Sequence, residues 1–441
     1  MQSGAVHHSD VTVIGGGLAG MAASLHLAKT GFRVVCIEPD SRVRQPVGES
    51  LDWASPNLLS ALGLPMEDLA RRGMATYKRG VTLQLGDGSA KKYRPGTWLG
   101  RAPFHVELRT IHVDRTQLDR ELRDLAIRQG VTVVYDKAVA VERTGTSIAS
   151  IQTESGERFA SPWFIDASGS YTSLLAREFS LPAVEYGPRK VALWTYFTAP
   201  LAHEGTTIYM QAVRGAYQDW IWEIPIAPNT VSVGYVTTGD AMKESRDQGL
   251  TVVDILGRQL ALFPRFAALL ENGAAGVPNV ASFGCRTYRG VTGPNWIIVG
   301  EAASMVDPIT SNGVTAALRH AEEAATLIAT FQGQSELGPA ARAAYSRRVL
   351  QMGMFFNDGI ERLVYDWPVR DRIGVERAAT VYTAAAWTMN GLYSRLRPRG
   401  VLSTAAFGAL LGAMRASAGI YYRWCRFLSR GTHSRLISFH Y

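Results

Sequence analysis

The stretch Val11–Gly20, VTVIGGGLAG, constrains the fold more than any other part of this chain. The apolar run Val11–Ile14 predicts a short buried strand. Gly15, Gly17 and Gly20 follow in the G-x-G-x-x-G spacing, with Leu18 and Ala19 between them as further candidate cofactor contacts, and a helix is read over Met21–Thr30. Gly31 ends that helix, Val34–Ile37 predicts a second strand, and Glu38 closes it. In such a unit the first glycine allows a tight turn. The second lets backbone amides approach a pyrophosphate, and the third lets helix and strand pack closely. The helix N-terminus faces the phosphates, and an acid about 20 residues on holds a ribose hydroxyl. The unit therefore predicts an ADP-containing dinucleotide. On its own it leaves NAD and FAD open, and an ordinary strand–turn–helix without a ligand has the same local pattern.

The remaining chain supports a large mixed α/β protein. With 441 residues there is length for two or three structural units. Cys36, Cys285 and Cys425 lie far apart, which argues against a disulfide framework or a metal-ligand spacing and fits a reduced, cytoplasmic setting. Residues 1–10 are polar and run straight into the first strand, unlike a signal peptide. Val401–Met414 is too short to span a bilayer and is followed by Arg415, so no transmembrane segment is expected. The net charge of +8 is unevenly placed. Residues 377–441 hold nine Arg and no Asp, Glu or Lys, leaving 37 basic against 38 acidic residues elsewhere. That tail reads either as a solvated helical surface or as a docking face for an acidic partner. No base-reading motif appears, and nucleic acid is not an expected partner.

Further candidates follow in chain order. Arg44 is placed to meet a phosphate or a flavin edge. Gly48-Glu49-Ser50 precedes a run with Leu58, Leu59, Leu62 and Leu64 on one helical face, and Ser50 is read as its cap. Ala75–Leu85 reads as one strand carrying Lys78 at its mouth. Arg115 begins a helix with Leu118, Leu122 and Leu125 on one face, suited either to a flavin contact or to a surface salt bridge. Asp166-Ala167-Ser168-Gly169 ends another strand in residues small enough for backbone to pass close to a dinucleotide. Val191–Ala199 and Asp219–Ile226 alternate as an antiparallel sheet would. Trp296–Val299 is a buried strand feeding Gly300 and Glu301, then Pro308, Asn312, Gly313 and Val314 at the start of an Ala-rich helix. That order suits a flavin, the acid holding ribitol hydroxyls and the helix dipole favouring the anionic edge of the ring. Beyond Gln332 the chain reads as helical, with aromatics such as Phe355, Phe356, Tyr365 and Trp424 forming either lid or core.

Together these motifs resemble the flavoprotein monooxygenases of the para-hydroxybenzoate hydroxylase type over most of residues 11–326. The closer resemblance is to their flavin-dependent halogenase branch. Trp220-Ile221-Trp222-Glu223-Ile224-Pro225 fits that branch's W-x-W-x-I-P, Gly48-Glu49-Ser50 resembles its G-E-[ST] loop, and Lys78 falls where it carries its active-site lysine. The resemblance implies a Rossmann-like, glutathione reductase-type FAD domain (residues 1–75, 105–180 and 285–330). It implies an antiparallel substrate domain (76–104 and 181–284) and a helical, Arg-rich C-terminal region (331–441). It further implies FAD and O2 as cofactors. Reducing equivalents would come from NAD(P)H directly or through a separate flavin reductase. Catalytic roles would fall to Lys78, Glu49, Trp220, Trp222, Thr310 and Ser311.

Three positions depart from the branch. Thr310 stands where tryptophan halogenases carry a glutamate. Met305 stands where phenolic and pyrrolic members usually have Phe, and Glu301 replaces the usual Asp with its hydrogen-bonding role kept. The loss of the glutamate makes hydroxylation of an electron-rich aromatic, an indole of tryptophan, the leading expectation. A subgroup that looks similar hydroxylates tryptophan within a precursor protein during maturation of tryptophylquinone (quinohemoprotein) amine dehydrogenases, and the basic tail would suit such a peptide or protein partner. The alternative is a halogenase of a phenol, pyrrole or carrier-bound substrate. An O2-independent FAD reductase acting on prenyl lipids and a redox-inert binding module are further readings.

Overall fold

The computed structural model describes residues 5–41, 46–84, 90–93, 109–170, 173–200, 204–214, 217–272, 276–366, 369, 373, 389 and 401–428. Arg44 lies outside them.

Two sheets organise the chain. The first is parallel and five-stranded, in the order Trp296–Ile298, Trp163–Asp166, Val11–Ile14, Val34–Glu38 and Thr132–Tyr135. Val11–Ile14 and Trp163–Asp166 are buried at every position, as strands covered on both faces must be, and they are apolar except for Thr12 and the terminal Asp166. Leu18–Lys29 packs against Gly313–Thr330 and Arg115–Arg128. The helix starts three residues earlier than the sequence suggests, with Gly17 as its N-cap. The chain is thus a mixed α/β fold around a Rossmann-like nucleotide unit, assembled from three distant stretches.

Two glycines of this unit are sterically required. Gly15 adopts φ +96°, and a Cβ there would stand 2.5 Å from the Ala167 carbonyl oxygen. A Cβ on Gly20 would stand 1.8 Å from the carbonyl oxygen of Gly15. Strand end, helix start and the Ala167 turn therefore converge at backbone contact.

The second sheet has eight strands, in the order Ser304–Met305, Asn279–Tyr288, Ala183–Thr198, Thr230–Thr238, Tyr217–Ala227, Thr206–Arg214, Val81–Gln84 and Ala90–Tyr93. All neighbours are antiparallel except Thr206–Arg214 with Val81–Gln84. The Asn279–Tyr288 strand runs across residue 285. Period-two alternation divides the central strand. Trp220, Trp222, Ile224 and Ile226 enter a core with Met352, Phe356, Phe407 and Leu411 from the helices Pro339–Ile360 and Val401–Leu428. Ile221 turns to the opposite face, against Met242, Ile255, Leu260 and Phe266. Smaller sheets pair Ala75–Tyr77 with Ile111–Val113 and join Val6–His8, Arg158–Ala160, Ser147–Thr153 and Ala138–Thr144. Among the described residues no helix is long and apolar enough to cross a membrane.

Two local expectations change. Ala75–Leu85 is not one strand: the chain leaves one sheet at Tyr77 and enters the other at Val81, because Lys78 N–H is bound by the Thr110 carbonyl and Arg79 N–H by that of Glu204. Lys78 thus stands at the joint between two sheets. Ser50 is not a helix cap: the helix is Ser55–Leu62, with Ala54 as N-cap and Pro56 in its first turn, and the Ser50 hydroxyl is bound elsewhere.

Replacing Gly20 by Ala forces a methyl group into the Gly15 carbonyl. Thermal unfolding of the variant is expected to show a loss of about 1–3 kcal/mol relative to wild type, and a retained Tm would contradict the close approach.

Candidate active site

At the nucleotide end, Gly17 is exposed and a Cβ there would meet nothing within 4 Å, so a ligand can come close to the backbone where the helix Leu18–Lys29 begins. Glu38 lies beside that point, its Oε2 accepting from Gly16 N–H at 2.5 Å and its Oε1 from Asp40 N–H at 3.1 Å. A helix N-terminus with a carboxylate at its flank fits the ADP half of FAD. Asp166 works differently from a direct ligand. It is fully buried and accepts from Ser168 N–H at 2.9 Å, Leu175 N–H at 2.8 Å and the Ser168 hydroxyl at 2.5 Å. Its role is to fold the turn through Gly169, where φ is +86°.

Of the two contacts expected of it, Arg115 makes the salt bridge, and this is buried, not at the surface. Its guanidinium is buried, pairs with both carboxylate oxygens of Asp119 at 2.9 and 3.0 Å, and donates to the carbonyls of Val47 at 3.1 Å and Gly48 at 3.4 Å. That grip holds the extended segment Gly48–Trp53, and each residue of it meets a different element. Glu49 is buried. Its Oε2 accepts from the Ser232 hydroxyl at 2.7 Å, and Ser232 in turn accepts from Trp222 Nε1 at 3.0 Å. Ser50 shares hydrogen bonds with Thr206 at 2.8 Å and with Ser311 at 3.1 Å. The Leu51 carbonyl accepts from Lys78 Nζ at 3.0 Å. Asp52 is buried, with Ala54 N–H on its Oδ1 at 2.8 Å and Thr315 and Arg319 close by. The Trp53 ring lies 5.7 Å from Lys78 Nζ. Thr110 ties the segment down through the carbonyls of Leu51 and Asp52, and Thr76 donates to the carbonyl of Pro225.

The structure therefore brings Glu49, Trp222, Ser50, Ser311 and Lys78 onto one short segment. Trp220 lies beside Trp222, ring centroids 5.8 Å apart, but its Nε1 points elsewhere, donating to Tyr365 at 3.2 Å. Thr310 caps its own turn through the Asp307 carbonyl at 3.3 Å. Ser311 is left-handed, with φ 59°. Asn312 and Val314 are buried at the start of the helix Gly313–Thr330, Glu301 is exposed and faces Gly313, and Gly300 N–H is bound by His320 Nδ1 at 3.2 Å. An acid, a helix N-terminus and the small residues of the turn fit the ring half of FAD. A cavity lined by Val306, Asn312, Arg319, His320 and Phe356 adjoins that helix. Neither Lys78 nor the paired tryptophans line it, so the chemistry of the side chains, not the size of this cavity, marks the site.

The electrostatics single out two groups. Burial pushes the Glu49 carboxyl up to about 7, against hydrogen bonds from Ser232 and Tyr196. Burial pulls the Lys78 ammonium down to about 8, and the Asp52 carboxylate opposes that fall. Groups shifted toward neutrality in this way are characteristic of reacting centres. Sequence reasoning misses Asp52, Ser232, Thr206 and the acid Asp307. Only Asp307 carries a local signal, an Asp directly before Pro308 at a turn. Among the described residues no cluster suits a metal ion, and all three cysteines are buried and outside any disulfide.

The tryptophan halogenase family profile matches residues 103–367, and that of FAD-dependent oxidoreductases matches residues 10–176. The chain belongs to the tryptophan halogenase family. It is thus a member of a family of FAD-dependent, halogenase-like oxidoreductases. It is 28% identical over 348 residues to the flavin-dependent halogenase armH5 of Armillaria mellea, covering 74% of this chain and 65% of that protein. It is 25% identical over 388 residues to the tryptophan 2-halogenase of Chondromyces crocatus, covering 81% and 69%. The chain thus spans about two thirds of the length of these relatives. The crystal structure of CmlS, a flavin-dependent halogenase, superposes with a TM-score of 0.66 at 26% identity, covering 80% of this chain and 64% of that one. These relatives favour the halogenase alternative over the hydroxylation that Thr310 suggests, and lend nothing to a peptidyl-tryptophan hydroxylase.

Glu49 offers a direct check of the geometry. Its folded pKa is raised above the ordinary 4.5, so the native state holds the proton longer and stability falls as pH rises from about 4.5 to 7. Glu49→Gln is expected to match wild type at pH 4.5 and to be more stable by on the order of 3 kcal/mol at pH 8. Melting curves across that range, superimposable at every pH, would refute the burial of an ionisable Glu49.

Proposed function

We propose that this chain halogenates an electron-rich aromatic ring, using halide, O2 and FAD that is reduced by NAD(P)H directly or by a separate flavin reductase. Bound reduced FAD supplies the electrons that turn O2 into an electrophilic oxygen for halide to intercept. The observation that carries the reading is Lys78, a buried ammonium on the Leu51 carbonyl between Trp53 and Asp52. Below its pKa of about 8 it is a hydrogen-bond donor in a water-poor setting, suited to orient a hypohalous acid. Asp52 keeps it protonated, the part left open by Thr310. Trp220 and Trp222 exclude water from the sheet side, and Ser50 with Ser311 fixes the loop before Gly313. Glu38, Glu301 and the amides of Gly17 and Gly313 would hold the cofactor, in an FAD unit of three stretches beside the eight-stranded sheet, which also takes in Asn279–Tyr288 and Ser304–Met305. The site of action is cytoplasmic in this reading, which three cysteines far apart in sequence and outside any disulfide support. The substrate is an indole, phenol or pyrrole, free or carrier-bound.

A second reading rests on one observation. Thr310 offers no carboxylate, which suits direct hydroxylation of an indole, including a tryptophan within a precursor protein.

Incubating the protein with reduced FAD, O2, bromide and an indole or phenol separates the two. Halogen isotope patterns in the product are expected. An oxygenated, halogen-free product rejects the first reading in favour of the second, and bound FAD without ring oxidation rejects both.

Lys78→Met is expected to lower product formation by at least about 100-fold with FAD still bound. Because the lysine pKa is depressed from 10.5 to about 8, its charge costs stability below pH 8. The variant's Tm at pH 7 is therefore expected to equal or exceed that of wild type, so loss of turnover cannot be put down to unfolding.

A further inference from the structure

A second buried cation lies on the other side of the Pro308–Gly313 loop. Lys190 is 2% exposed, in the strand Ala183–Thr198 where pairing with Asn279–Tyr288 shifts register. Its Nζ donates to Asp307 Oδ2 at 2.7 Å and lies 4.2 Å from the centre of the Tyr365 ring and 5.4 Å from that of Tyr217. The Tyr365 hydroxyl donates to the same Asp307 oxygen at 2.9 Å, and Trp220 Nε1 donates to Tyr365 at 3.2 Å. Glu361 adds a longer ion pair to Lys190 at 4.0 Å and accepts from Tyr217 at 3.1 Å.

All of this converges on one carboxylate, and that carboxylate holds the loop. Asp307 Oδ1 accepts from Ile309 N–H at 3.1 Å, and its carbonyl from the Thr310 hydroxyl at 3.3 Å. An apolar pair of similar size would fill the core at no greater cost, since desolvation cancels most of what a buried ion pair gains. What the charged pair adds is direction: it fixes where the turn Pro308–Thr310 begins, and so where Ser311, Asn312 and Gly313 lie.

We infer that Lys190 is a positioning residue. Acting through Asp307, it sets the Pro308–Gly313 loop in register for the flavin ring, with Tyr365 adding the end of the helical segment Pro339–Tyr365 as a second strut. This rests on the cofactor reading above, in which that loop meets FAD. The segment after residue 338 is then part of the oxidising site, not only a cover for the sheet.

The test uses the full chain and oxidised FAD, without substrate. Titration gives the dissociation constant from flavin fluorescence, the bound spectrum reports the ring environment, and melting of the flavin-free protein reports the fold. Lys190→Met is expected to weaken FAD binding by about tenfold and to shift the bound visible band. Lys190→Arg, which keeps the charge on Asp307, should recover most of both. Tyr365→Phe should move them in the same direction by less. Should Lys190→Met not fold, the uncharged pair Lys190→Met/Asp307→Asn takes its place. It is expected to regain a cooperative melt while the flavin spectrum stays displaced. A wild-type dissociation constant and spectrum in Lys190→Met, or in the double variant, overturns the inference while FAD binding by wild type stands. Wild-type protein that does not bind FAD overturns the cofactor reading, and this inference with it.

Discussion

The grip of Arg115 on the carbonyls of Val47 and Gly48 is the contact on which the site depends. Asp119 offsets the desolvation cost of burying the guanidinium, whose remaining donors go to backbone. The extended segment it holds then serves every neighbour in turn: a carboxylate for the Ser232–Trp222 chain, a hydroxyl for Ser311, a carbonyl for Lys78 and a second carboxylate toward Thr315 and Arg319. Through this strip the eight-stranded sheet, at Thr206, and the small two-stranded sheet, at His112, are bound to the same backbone. Ordinary hydrogen bonds at its edges thereby place a lysine that solvent would otherwise claim.

Two buried lysines, Lys78 and Lys190, are treated in opposite ways. Lys190 has a carboxylate at 2.7 Å and two aromatic faces. Lys78 has a carbonyl and one aromatic face at 5.7 Å, with Asp52 near enough to oppose its loss of charge but not to clasp it. The first arrangement fixes a position, and the second leaves a proton exchangeable near neutral pH.

The nucleotide unit is legible in sequence because its signals are local. Strand, glycine turn and helix follow one another within Val11–Glu38, and the turn needs glycine for steric reasons at Gly15 and Gly20. The paired tryptophans are legible as one face of a strand for the same reason. The site itself is much less so. Its organising contacts run to the carbonyls of Val47, Gly48 and Leu51, and a carbonyl leaves no mark on residue type. Lys78 sits where one run of β-prone residues divides between two sheets, a choice made by the distant partners Thr110 and Glu204. Ser50 has the composition of a cap, yet its hydroxyl is taken by Thr206 and Ser311, far away in the chain. The single substitution at Thr310 points toward hydroxylation when weighed alone, whereas the family match over residues 103–367 weighs the whole framework.

The order of strands in the parallel sheet bears on how the protein is made. Trp163–Asp166 receives its outer neighbour, Trp296–Ile298, only after most of the large antiparallel sheet has been synthesised, and Gly313–Thr330, one of the two helices that pack on Leu18–Lys29, comes later still. On the ribosome the first glycine turn emerges early but waits, one edge of its sheet uncovered, for partners encoded far downstream. The nascent chain thus completes its large antiparallel sheet before it makes the turn Pro308–Thr310 and the helix Gly313–Thr330 that close the nucleotide unit.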